Sequence, residues 1–205
     1  MGTMNTPCTE PLAIPIDADI DTERVPGNSG IWVGIFCVLV EFLMLFIVYF
    51  VAKAHHPEAF QGGPDKLATV AGVTITMLLL TSGYCMVKAV AAVRQDASSR
   101  AFRWILLAIL LGCGYPLVKF FEIRWNIAHG VDGQAGIFYT VYYYLTLTHL
   151  VHVFWGLLGL SWIAIRTNRG IYSSEEYSGL AAAAVYWHTT DVIWLVIFPF
   201  FYVLR

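Results

Sequence analysis

IWVGIFCVLVEFLMLFIVYFVA, residues 31–52, carries one charged side chain, Glu41, in the middle of an otherwise apolar run. A helix needs about 20 apolar residues to cross the hydrocarbon core of a bilayer, so this stretch is long enough to span. Four further stretches of the same kind follow, at 67–92, 102–121, 137–165 and 180–204. With 58% hydrophobic and 13% charged residues in a chain of 205, too little polar surface exists to cover a water-soluble domain. The fold class these numbers predict is all-α, a polytopic membrane helix bundle with five transmembrane helices.

The residues before the first span argue that this helix is retained. They are acidic (Glu10, Asp17, Asp19, Asp21, Glu23) with Arg24 as their only basic side chain, whereas a cleavable signal starts with a basic region. Residues 1–28 read as a flexible, proline-punctuated tail and 29–205 as one five-helix domain. The basic residues set the orientation. An N-terminus inside puts Arg24, Arg94, Arg100, Arg103, Arg166 and Arg169 on the inner side and Lys53, Lys66, Arg124 and Arg205 on the outer side, six against four. The expectation is N-terminus inside and C-terminus outside. Connections are short and marked by breakers such as Pro57, Pro64, Gly130 and Gly136, which makes sequential helices neighbours. Cys37, Cys85 and Cys113 fall in spans and Cys8 in the tail, with no Cys-x-x-Cys spacing, so neither a disulfide framework nor a metal site is implied. No basic cluster suggests nucleic acid.

Ionisable groups at bilayer depth are costly and mark pairing or functional sites. In the fourth span, Thr146, His149, His152, Gly156 and Gly159 recur at helical spacing on one stripe. Glycines there let a neighbouring helix approach, and the imidazoles then find partners. In the fifth span, His188 and Asp191 are one turn apart. At about 1.5 Å of rise per residue these groups overlap in depth with Glu41. A buried polar network of Glu41, His149, His152, His188 and Asp191 is therefore expected to join the first, fourth and fifth spans. Lys119 and Glu122, one turn apart in the third span, form a secondary ion pair, or Lys119 snorkels to the surface. Tyr142, Tyr143 and Tyr144, with Trp32, Trp104 and Trp125, suit an interfacial aromatic belt.

The combination of VEFLMLFIVYF (40–50), KFFEIRWNIAHG (119–130), YYYLTLTHLVHV (142–153) and VYWHTTDVIWLVIF (185–198) resembles subunit III of the haem-copper respiratory oxidases, in its five-helix bacterial form. PGNSGIWVGIF, TMLLLTS and the lysine before Glu122 look closest to the branch of nitric oxide reductase accessory membrane proteins. The resemblance implies a chain without catalytic, cofactor-binding or metal residues of its own. It implies docking on the catalytic subunit I, which holds haem and copper, and contact with other oxidase subunits and phospholipid in a bacterial plasma membrane. It further implies support of assembly, stability and proton uptake. By position, Glu41 resembles the family's carbodiimide-reactive glutamate, His149 and His152 its paired histidines, and His188 and Asp191 its last-helix pair. Leu147, Thr148 and Leu150 depart from the glycines usual around the first pair. The competing classes are an accessory protein of nitric oxide reductase, a b-type cytochrome with His149 and His188 on one haem, and a proton-coupled transporter.

Overall fold

The computed structural model describes residue 27 and residues 29–204, so the expected tail over 1–28 lies, Gly27 apart, outside the described residues. In chain order the elements are α1 (Ser29–His55), α2 (Pro57–Gly62), a single 3-10 turn (Pro64–Lys66), α3 (Thr69–Val93), α4 (Ser98–Ala128), α5 (Ile137–Asn168) and α6 (Ser178–Tyr202). Five of them, α1 and α3 to α6, are long and apolar enough to cross a membrane. Their 25 to 32 residues give roughly 38 to 48 Å of helix, more than a hydrocarbon core of about 30 Å requires. Pro57 and Pro64 open their elements where a missing N–H costs nothing. Gly130 and Gly170 close α4 and α5 with φ of 72° and 69°, a conformation that a Cβ penalises.

Packing divides the bundle into a ring and an attached helix. α3 and α4 form the most extensive helix pair, and the α4–α5, α5–α6 and α6–α3 contacts close a four-helix ring. α1 leans on α5 and α6 and does not touch α3. The expectation that sequential helices are neighbours therefore fails at the first step. Residues 56–68 are not a tight turn but hold α2 and the 3-10 turn, which contact α5 and α6 and carry the chain past the end of α6.

Two indoles hold α6 to the ring. Trp187 is wholly buried, and a Cβ added to Gly112 of α4 or Gly156 of α5 would come within 2.9 and 2.8 Å of its ring. These glycines form the slot the indole fills. Its Nε1–H donates to Ser82 Oγ at 3.1 Å, and two turns along α6 Trp194 Nε1–H donates to Thr76 Oγ1 at 2.9 Å. Both indoles thus place their bulk in the core and satisfy their one polar atom on α3.

At one end of the bundle the α3–α4 and α5–α6 connections are tied together. Asp96, at φ 54°, accepts the Ser174 N–H at 2.7 Å and the Ser174 hydroxyl at 2.8 Å. Those bonds, the backbone one first, hold the Asp96 carboxyl below its ordinary pKa. A depressed carboxylate contributes stability above the ordinary carboxylate range and loses it as pH falls through the lowered value. We expect the Ser174 amide to be protected from hydrogen exchange at neutral pH and to lose protection in acid below the ordinary Asp range. Asp96→Ala should abolish that protection at every pH. Protection that survives the substitution would show that the tie is not what holds the loop.

Candidate functional site

The ion pair expected on α4 is the centre of a closed cage. Lys119 is fully buried, so it does not snorkel. Its Nζ donates to Glu122 Oε2 at 3.0 Å, to the Tyr142 hydroxyl at 2.8 Å and to the Tyr202 hydroxyl at 3.2 Å, which uses all three ammonium hydrogens. Glu122 Oε1 accepts the hydroxyls of Tyr142 at 2.7 Å and Tyr202 at 2.6 Å. The side chains come from α4, α5 and α6, and the two charges cancel. Tyr142 is 0% exposed, which corrects its assignment to the aromatic belt, while Tyr144 and Trp125 do lie on the outer surface. The α5 stripe simply begins one turn earlier than expected, at Tyr142, four residues before Thr146.

The five residues expected to form one network are divided. His149 is fully buried and faces the ring. Its Nε2–H donates to the Thr190 carbonyl of α6 at 3.0 Å, and its Nδ1 meets the Tyr115 hydroxyl of α4 at 3.2 Å. Both ring nitrogens are thereby committed to α4 and α6. His152, one turn on, faces α1 instead, because three residues turn a helix by about 300°. Its Nδ1–H donates to the Thr148 carbonyl at 2.9 Å, which leaves Nε2 toward Glu41 Oε2 at 3.3 Å. The ring of Phe42 packs edge-on to both imidazoles and lies between these two environments. The third group is on α6, where His188 Nδ1 and Asp191 Oδ2 are 3.7 Å apart. Asp191 is buried against α3, where a Cβ on Gly83 would stand 2.5 Å from Oδ2.

What this arrangement can do follows from the hydrogen bonds. His152 Nδ1 is held by its own helix, so Nε2 is the ring nitrogen that faces Glu41. The Glu41 side chain is 49% exposed on the outside of the bundle. Glu122 is enclosed. A hydrophobic carbodiimide added to the protein in lipid should therefore label Glu41 and leave Glu122 unlabelled, with Glu41→Gln removing the adduct. Peptide mass mapping checks it, and an adduct on Glu122 would contradict the cage. Among the described residues no group of three or more His, Cys, Asp or Glu side chains is placed to hold a metal ion. Gly83, Tyr115, Thr190 and Tyr202 are partners that the sequence reading did not assign to any site. Of these only Tyr115 lies one helical turn from Lys119, so only it carried a local signal.

Comparison with known proteins bears on most of the chain. The profile of the family described as cytochrome c oxidase subunit III matches residues 22–204. A probable cytochrome c oxidase subunit 3 of Mycobacterium bovis is 27% identical over 168 residues, covering 82% of both chains. The quinol oxidase subunit 3 of Bacillus subtilis is 29% identical over 193 residues, covering 93% of this chain and 92% of its own. A cytochrome c oxidase subunit 3 of a Synechocystis species is 29% identical over 203 residues, with 92% and 85% covered.

Proposed function

The chain belongs to the cytochrome c oxidase subunit III family, and on that premise we propose that it is a non-catalytic membrane subunit of a haem-copper terminal oxidase in aerobic electron transport. The observation that carries the reading is the family match across nearly every described residue. The site supports it, because its titratable groups pair with one another, Lys119 with Glu122, His152 with Glu41 and His188 with Asp191. Five membrane-crossing helices make the chain a multi-pass membrane protein, and family membership implies association with other oxidase subunits. In our reading the contact is with the haem-copper subunit I, in a bacterial plasma membrane, with the N-terminus and Arg94, Arg100 and Arg103, in and just after the α3–α4 connection, inside. Residues 29–205 act as one domain, and phospholipid covers the apolar faces left free.

The reading extends to cofactors. Haem and copper reside in the catalytic subunit, and this chain carries neither. His149 would have to surrender its bonds to Tyr115 and Thr190 before it could serve as an axial ligand, which weighs against a b-type cytochrome. The role left to the polar groups is assembly, stability and support of proton uptake by the partner.

The test is purification of the tagged chain from its own membranes in mild detergent. We expect it to carry a haem-copper oxidase, seen as reduced-minus-oxidised haem bands, and to lose those bands when separated from the catalytic subunit. Stoichiometric haem retained on the isolated chain would overturn the reading. A co-purifying complex that reduces nitric oxide and not oxygen would place the chain with the nitric oxide reductase accessory proteins instead.

A further inference from the structure

We propose that the His188–Asp191 pair, seated against Gly83, is the point at which this bundle receives a hydrogen-bond donor from a transmembrane helix of the catalytic subunit. The proposal rests on the reading of the chain as an oxidase subunit and names where the contact is made.

Asp191 differs from the other acids at bilayer depth. Glu122 accepts three hydrogen bonds and Glu41 faces His152 at 3.3 Å. The Asp191 side chain is 6% exposed, and its Oδ1 has no hydrogen-bond partner among the described residues. Oδ2 stands 3.7 Å from His188 Nδ1, an ion-pair separation beyond hydrogen-bond length. A buried carboxyl without donors is costly in any protein and more so in lipid, where water cannot make up the deficit. Gly83 makes the seat, since any Cβ there would meet Oδ2 at 2.5 Å. The sequence thus spends a glycine on α3 to bring this carboxyl in beside the imidazole.

The imidazole of the pair is reached from outside the bundle. His188 is 39% exposed and lines a groove of about 310 Å³ with Val185, Thr189 and Val192 of α6 and Leu39 of α1. Apart from His188 and Thr189 the groove is aliphatic, so the imidazole lies in an apolar slot between two helices, with the Asp191 carboxyl buried behind it against α3. Asp191 is thirteen residues into a 25-residue helix, about 20 Å from its start, which is near the middle of the membrane. Phospholipid headgroups do not reach that depth, and acyl chains offer no donor. A hydroxyl, amide or cationic side chain on a neighbouring membrane helix does both, and its apolar flanks would fill the groove walls. Polar residues used in this way specify which helix docks and in what register.

The experiment places a photo-crosslinking residue at Val192, which is 57% exposed in the groove, in the full chain within its native membranes. We expect an adduct between the chain and the catalytic haem-copper subunit, identified by mass. In parallel, Asp191→Leu is scored as the ratio of chain recovered with the oxidase to chain present in the membrane. That ratio should fall at least tenfold, and scoring a ratio separates docking from folding. Adducts with lipid alone, or with a second copy of the chain, overturn the proposal while leaving the subunit reading intact if the chain still co-purifies with the oxidase. An unchanged ratio overturns it as well. A chain that co-purifies with no haem-copper protein at all overturns the subunit reading, and the proposal with it.

Discussion

Replacing Lys119 by Met destabilises the bundle by about 3–5 kcal/mol, the cost of leaving one member of a buried charge pair without its partner. Glu122 keeps two tyrosine donors but loses the positive charge that cancels its own, and Tyr142 and Tyr202 lose the donor they share. The charges are 0% exposed at both side chains, so neither solvent nor lipid headgroups can take over. The double variant Lys119→Met with Glu122→Gln removes the uncompensated charge and should recover most of the loss, because buried pairs replaced together are often close to neutral. Reversible unfolding in detergent measures both. A single variant as stable as the parent chain would mean that the pair is hydrated and the cage is not closed.

The second large effect is expected at Trp187. Truncation to Ala empties the slot between Gly112 and Gly156 and leaves Ser82 without its indole donor. Large-to-small changes at a fully buried aromatic cost about 3–5 kcal/mol, because the surrounding helices relax only partly into the cavity. Since the indole bridges α3, α4, α5 and α6, the loss should appear as looser helix packing and not as loss of helix. Near-ultraviolet circular dichroism should weaken while the far-ultraviolet signal is retained below the unfolding transition. A stability change under 1 kcal/mol would show that the ring does not depend on this contact.

These residues also show what was legible in the sequence. The five spans could be read directly, because a run of about 20 apolar residues has few other uses. Lys119 and Glu122 were visible as a pair from their spacing of three. Their tyrosine partners were not, since Tyr142 and Tyr202 lie 20 and 80 residues from Glu122 and an aromatic near a helix end serves an interfacial belt as readily as a core. Depth alone suggested that Glu41, His149 and His152 belong together. Depth is only one coordinate, and the turn of about 60° between His149 and His152 on the helix surface sends one into the ring and the other toward α1. The separation of α1 from α3 was hidden for a related reason. Connection length limits how far apart two helices can be and does not say which third helix stands between them.

The central claim, that this chain supports an oxidase without performing its chemistry, is tested most directly by single-turnover oxygen reduction in the complex with and without the subunit. The fully reduced complex stripped of this chain is mixed with oxygen, and haem oxidation is followed optically. The account predicts that the stripped complex retains its haem spectrum and completes the single turnover, while its sustained turnover and stability decline. Abolition of the single turnover in a stripped complex whose haems remain intact would contradict it.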